Sequence, residues 1–118
     1  MEYLLAFYGD EKALANIPPE QLAADQQAWF KFDQALRKSV KVVSNSGLQP
    51  TSSATTVRLK NGKMVTSDGP FAETKEQLFG FYLIDAKDLD EAIAWAGKMP
   101  NLPSGGSVEV RPVWTFKQ

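Results

Sequence analysis

Gly80-Phe81-Tyr82-Leu83-Ile84-Asp85-Ala86, running directly into Lys87-Asp88-Leu89-Asp90-Glu91, is the stretch that decides the fold. Its first half is a short apolar run rich in aromatic and branched side chains, which reads as a core strand. Its second half starts a helix. Asp88 with Glu91 three residues on forms a capping-box variant, the Asp carboxylate accepting from the third-residue amide. Leu89, Ala92, Ile93, Ala96 and Trp95 supply that helix with a buried stripe. Pro100 and Pro103 end it, and Gly105-Gly106 turns the chain. From Ser107 to Phe116, Val108, Val110, Pro112, Trp114 and Phe116 alternate with Glu109, Arg111, Val113 and Thr115, the period of a strand.

Upstream, Ala54–Lys60 and Lys63–Ser67 flank Asn61-Gly62, a dipeptide suited to a tight hairpin because both central positions need positive φ. That register sets Val57 and Leu59 beside Thr66 and Met64 on one face, and Arg58 beside Val65 on the other. Further back, Ile17-Pro18-Pro19-Glu20 is a helix start, since proline fits the first turn and Glu20 suits the positive dipole end. Leu22, Trp29, Phe32, Leu36 and Val40 recur at helical spacing, and Ser44-Asn45-Ser46-Gly47 is expected to stop the helix. Leu48-Gln49-Pro50 reads as a short edge segment. Residues 2–8 form a strand with Tyr3, Leu5 and Phe7 on one face and Leu4, Ala6 and Tyr8 on the other.

The order strand, long helix, hairpin, strand, helix, strand predicts a ferredoxin-like α+β sandwich, an antiparallel sheet carrying two main helices. At 118 residues the chain is expected to be one domain. Both helices cover one sheet face, yet the first strand is apolar on both. An apolar sheet face left open marks an interface. The expected solution is a homodimer whose sheets face each other as an α/β barrel.

Composition narrows the chemistry. Thirteen Lys+Arg against 14 Asp+Glu give a net charge of −1, without the basic stripe that nucleic-acid binders or anionic membranes call for. Cysteine and histidine are both missing, which removes disulfides, thiolate chemistry, the commonest general base and the commonest zinc ligand together. Phosphate-cradling glycine loops, dinucleotide fingerprints and metal-ligand spacings do not occur, so neither cofactor nor metal is expected. Without a secretory leader or an apolar run near the ~20 residues of a membrane span, a cytoplasmic setting is expected.

One connection is chemically crowded. Asp68-Gly69-Pro70-Phe71-Ala72-Glu73-Thr74-Lys75-Glu76-Gln77-Leu78 places a turn dipeptide, three carboxylates and a lysine between the hairpin and the core strand. Its plain reading is a turn with Phe71 as a core plug and a solvated charged face. Its functional reading rests on density, because rigid strands on both sides would hold Asp68, Glu73, Lys75 and Glu76 together. Tyr8 and Asp10, at the end of the first strand, join Arg58, Phe71 and Arg111 as candidates for lining the same pocket. A buried arginine would need a carboxylate, with Glu109, Asp68 and Glu73 available. No catalytic residue is singled out, and Asp85 reads equally as inward-facing or as the strand end before the helix cap.

The run Asp68–Glu76, continuing to Gly80–Asp85, resembles the hallmark of the DGPF group of YCII-related domain proteins. Tyr3 to Asp10, Leu48-Gln49-Pro50 to Arg58, and Val108–Pro112 agree with it. The resemblance implies a ferredoxin-like fold and a dimeric α/β barrel. Wider relatives have been suggested to use a histidine–aspartate pair, which this histidine-free chain cannot supply. DGPF members are often encoded near extracytoplasmic-function sigma factors, implying a signalling context. Phe79 departs from the glycine that the group commonly carries there, and its ring is expected to fill part of a pocket or repack the strand entrance.

Three functional readings compete. The first is a dimeric domain that binds a small anionic ligand at Asp68–Glu76. The second is an isomerase or lyase with Asp68 or Glu73 as base and Lys75, Arg58 or Arg111 holding an anionic intermediate. The third is an interaction protein in a sigma-factor-linked pathway.

Overall fold

A computed structural model of the chain describes residues 1–115. In chain order the elements are β1 (Glu2–Gly9), α1 (Glu11–Leu14), α2 (Pro19–Ser39), β2 (Lys41–Gly47), β3 (Thr55–Lys60), β4 (Lys63–Asp68), β5 (Gln77–Asp85), α3 (Leu89–Ala96) and β6 (Ser107–Pro112). The expected continuation of the last strand to Phe116 ends outside the described residues; the strand itself closes at Pro112.

The main sheet is antiparallel and four-stranded, ordered β2-β5-β1-β6. With α2 joining β1 to β2 and α3 joining β5 to β6, that order is the ferredoxin-like α+β sandwich. Tyr3 and Leu5 of β1, Tyr82 and Ile84 of β5, Phe32 and Leu36 of α2, and Ala92 and Ala96 of α3 form one buried cluster. Phe7 adds an aromatic chain through Trp29, whose ring lies 4.7 Å away, and on to Phe32.

Local chemistry explains the helix ends. Pro18 caps α2, with Pro19 in the first turn. Asp88 accepts from the Glu91 amide at 2.9 Å, and the Glu91 carboxylate reaches back to the Lys87 amide at 3.0 Å, so the start of α3 is satisfied reciprocally. Asp10 caps the short α1 through the Lys12 amide.

Three departures from expectation stand out. Helix α2 stops at Ser39, short of the expected stop at Ser44–Gly47, and Lys41–Gly47 is the edge strand of the main sheet. Leu22, Leu89 and Ile93 are exposed instead of buried. In α3 the small Ala92 and Ala96 face the sheet and bring the helix close, which turns the Leu89–Ile93 stripe outward.

The third departure concerns the hairpin. Among the described residues, β3 and β4 pair only with each other, in the expected register of Val57 with Thr66, Arg58 with Val65 and Leu59 with Met64. Asn61 and Gly62 take φ of 53° and 78°, the left-handed conformations of a two-residue turn. This hairpin is not part of the main sheet; it is a separate arm inserted between β2 and β5.

Candidate functional site

Pairing sorts the residues of the main sheet by face. Since Tyr3, Leu5 and Phe7 face the helices, Leu4, Ala6 and Tyr8 face the other way. Ala6 pairs with Phe81 and Leu4 with Leu83 on β5. On the far edge Leu4 pairs with Arg111, Ala6 with Glu109 and Tyr8 with Ser107. Ser44, opposite Leu83, borders the face on β2. The uncovered face is therefore apolar along its two central strands and polar along its edges.

At one end of that face lies an open cavity of about 580 Å³ lined by Tyr8, Thr74, Lys75, Glu76, Ser107, Val108 and Glu109. The Ser107 hydroxyl donates to Glu76 Oε1 at 3.0 Å, tying the crowded connection to the start of β6. Thr74 and Gln77 side chains hold the backbone of residues 74–76 in a tight bend. Gln77 also accepts from the Glu11 amide at 2.9 Å, anchoring the connection to α1. Among the described residues, no carboxylate lies within ion-pair distance of Lys75. The cavity thus combines one free cation, two carboxylates and three hydroxyls.

A broader cleft opens on the helix side, and Lys75 and Glu76 line this as well. Its walls include Trp29 and Phe79, together with Asp10 and the loop from Gly97 to Gly106. Phe79 occupies the β-bulge where the β1–β5 register shifts between Phe7 and Tyr8. Its ring sits over Gly9, where an added Cβ would fall 2.4 Å from Phe79 Cε2. A side chain at residue 9 would have to push the Phe79 ring aside, and the bulky Phe79 does line a cleft.

Asn101 fixes the same end of the sheet. Its Nδ2 donates to the carbonyls of Tyr8 and Ser107 at 3.0 and 2.9 Å, clamping β1 to β6 below the cavity. Its Oδ1 is buried without a partner among the described residues.

The candidates named from sequence do not all converge on one place. Tyr8, Lys75 and Glu76 converge on the cavity, and Asp10 joins Lys75 and Glu76 along the cleft. Arg58, Asp68 and Phe71 belong to the arm and its root. Arg58 donates to the Phe71 carbonyl at 3.3 Å, and the Phe71 ring is 76% exposed, so it plugs no core of its own chain. Glu73 is solvent-facing. Arg111 lies on the uncovered face and pairs with Glu109 at 2.6 Å, both side chains largely exposed. Asp85 binds the Met1 ammonium at 2.8 Å, a hydrogen bond and charge that hold its carboxyl below the usual range.

A family comparison fits this arrangement. Residues 1–117 match the YCII-related domain, essentially the whole chain. The chain belongs to the YCII-related domain family. An uncharacterised protein of Rhizobium meliloti (strain 1021) is 41% identical over 121 residues, covering 99% of this chain and 95% of that one. Among the described residues of this YCII-related domain, no helix is long and apolar enough to cross a membrane. None of its described His, Cys, Asp or Glu residues cluster to hold a metal ion.

A polar cluster that sequence reasoning passed over lies on the helix face of the YCII domain. Tyr82 donates to Asp33 Oδ1 at 2.8 Å, and Arg37 Nε donates to Asp33 Oδ2 at 2.9 Å. Arg37 also reaches Asn45 at 2.9 Å, so the cluster ties α2 to both β5 and β2. Burial works to raise the Asp33 pKa, but the hydrogen bonds from Arg37 and Tyr82 and the Arg37 charge outweigh it and hold the carboxyl below its ordinary value. Burial, reinforced by the Asp33 carboxylate, pushes the Tyr82 phenol well up. The four-residue spacing of Asp33 and Arg37 was the available signal; Tyr82 gave none, because its partner is 49 residues away.

Proposed function

We propose that this YCII-related domain is a DGPF-type member whose dimer binds a small anionic ligand beside the Asp68–Glu76 segment. The observation that carries this reading is the convergence of Lys75, Glu76, Tyr8 and Ser107 on one cavity, built from the ends of two strands and the crowded connection. Lys75, which no described carboxylate pairs, offers a point charge to a carboxylate or similar anion, and the Tyr8 hydroxyl offers a donor to orient it, the Thr74 and Ser107 hydroxyls being donated to Glu76. The cavity is open, and Tyr8 and Glu109 of its lining belong to the uncovered sheet face. A second copy facing that sheet would wall it, so the binding unit is taken to be a homodimer working in the cytoplasm. The apolar centre and polar edge of the face match the anatomy of a protein interface.

The test is thermal-shift screening of the wild-type chain with acetate, pyruvate, malonate and γ-butyrolactone, alongside Lys75→Met and Glu76→Gln. A ligand at a hundred times its Kd stabilises a fold by about 2.7 kcal/mol, a shift easily read. An anion response that disappears in Lys75→Met supports the site. Equal responses in wild type and both variants would remove it.

A further inference from the structure

We infer that the β3–β4 hairpin is an exchange arm: its Val57–Leu59–Met64 face seats on a second copy of this chain. This builds on the facing-sheet dimer proposed above and names the element that holds it.

The arm's own geometry demands a partner. An isolated two-stranded hairpin is marginal in water, because it needs a third strand or a packed layer to bury one face. Among the described residues, β3 and β4 find no third strand. Val57, Leu59 and Met64 project from one face at 58%, 77% and 69% exposure. The opposite face carries Arg58, Lys60 and Lys63 with one apolar residue, Val65, and Arg58 is bonded back to the Phe71 carbonyl. One side of the hairpin is thus mainly charged and the other mainly apolar.

Surface and shape give the size of what is missing. The chain exposes 8771 Å². A monomer of 13.0 kDa should expose about 6,300 Å², leaving an excess of roughly 2,400 Å². Standard complexes bury about 800 Å² per partner, and obligate dimers more. The radius of gyration is 16.5 Å, where a folded chain of this length should show about 13.5 Å. Such an excess suits an obligate interface.

The occupant is identified by what the chain already contains. An unpartnered apolar hairpin face and an unpartnered apolar sheet face on one molecule are the two surfaces that a two-fold pair requires, since each copy gives and receives the same contact. A net charge of −1 sets no long-range repulsion between copies. Seated in this way, the arm also carries Arg58 and Phe71 onto the neighbouring copy, away from their own chain's cavity.

The experiment is sedimentation equilibrium of the full chain and of Leu59→Asp, Val65→Asp and Leu83→Asp, with circular dichroism to confirm folding and small-angle scattering for shape. Wild type is expected to be a dimer. Leu59→Asp, on the contact face, should raise the dissociation constant by about a hundredfold or more, because it sets a charge in a desolvated apolar contact. Val65→Asp, on the opposite face beside Arg58, should leave the dimer intact. Should Leu59→Asp lose its fold, amide exchange of residues 55–68 in wild type decides instead: protection that rises with protein concentration supports the arm, and concentration-independent exchange overturns it. A dimer that persists in Leu59→Asp overturns the arm while sparing the facing-sheet reading. Dissociation by Leu59→Asp with Leu83→Asp still dimeric upholds the arm's contact with a second copy but overturns the sheet face as its seat, and the facing sheets with it. A wild type that stays monomeric overturns both.

Discussion

Replacing Tyr82 by Phe removes one hydroxyl and leaves the core ring in place, which makes it the cleanest probe of how α2 is fastened to the sheet. The Tyr82 hydroxyl donates to Asp33 Oδ1 at 2.8 Å, and Asp33 Oδ2 takes the Arg37 Nε at 2.9 Å. A hydrogen bond to a charged group contributes about 1.5–3 kcal/mol. Asp33 is part-exposed, so water can replace the lost donor, and the low end, about 1.5 kcal/mol, is expected. With an unfolding entropy of about 2.1 cal/mol/K per residue, that corresponds to a fall in Tm of about 6 °C. The pH dependence has a definite sign. Asp33 is held below its unfolded pKa, so its contribution is complete above about pH 4 and is lost as pH falls through the folded value. The deficit of Tyr82→Phe should therefore be full at neutral pH and shrink in acid; the deficit of Asp33→Asn should narrow likewise, whereas Tyr82→Phe made in an Asp33→Asn background should show no such narrowing. Calorimetric melts between neutral pH and about pH 3 read both effects. A Tyr82→Phe chain that melts with wild type at neutral pH, or a deficit unchanged in acid, would refute the reasoning.

Two other substitutions probe the ground beneath the cavity. Gly9→Ala drives a Cβ into the Phe79 ring and should cost about 1–3 kcal/mol in chemical denaturation; most of that cost should vanish when Phe79→Ala is added, a coupling that separate sites would not show. Asn101→Ala removes both donors that clamp the Tyr8 and Ser107 carbonyls, and should lower stability by about 2 kcal/mol while loosening the amides of residues 105–107 in hydrogen exchange.

What the sequence made legible follows from how local each cause is. The hairpin register was readable because Asn61-Gly62 can adopt the left-handed turn that fixes every pair beyond it. The start of α3 was readable because Asp88 and Glu91 close the cap within four residues. β2 was not readable, since six of its seven residues are exposed and it carries no apolar alternation; pairing with distant β5 makes it a strand. Nor does a period of two say which sheet a strand joins, so the arm looked like part of the main sheet. The site divided for the same reason. Tyr8, Lys75 and Glu76 meet through strand ends, whereas Arg58, Asp68 and Phe71 leave with the arm. Asn101, set between Pro100 and Pro103, carried the look of an ordinary turn residue.

Amide nuclear magnetic resonance of the wild-type chain, titrated with the small carboxylates of the thermal screen, tests the binding account most directly. Saturable shifts concentrated at Tyr8, Thr74, Lys75, Glu76 and Ser107, and abolished in Lys75→Met, are the expected result. Saturable shifts that centre elsewhere, or no saturable shifts with any carboxylate, would contradict it.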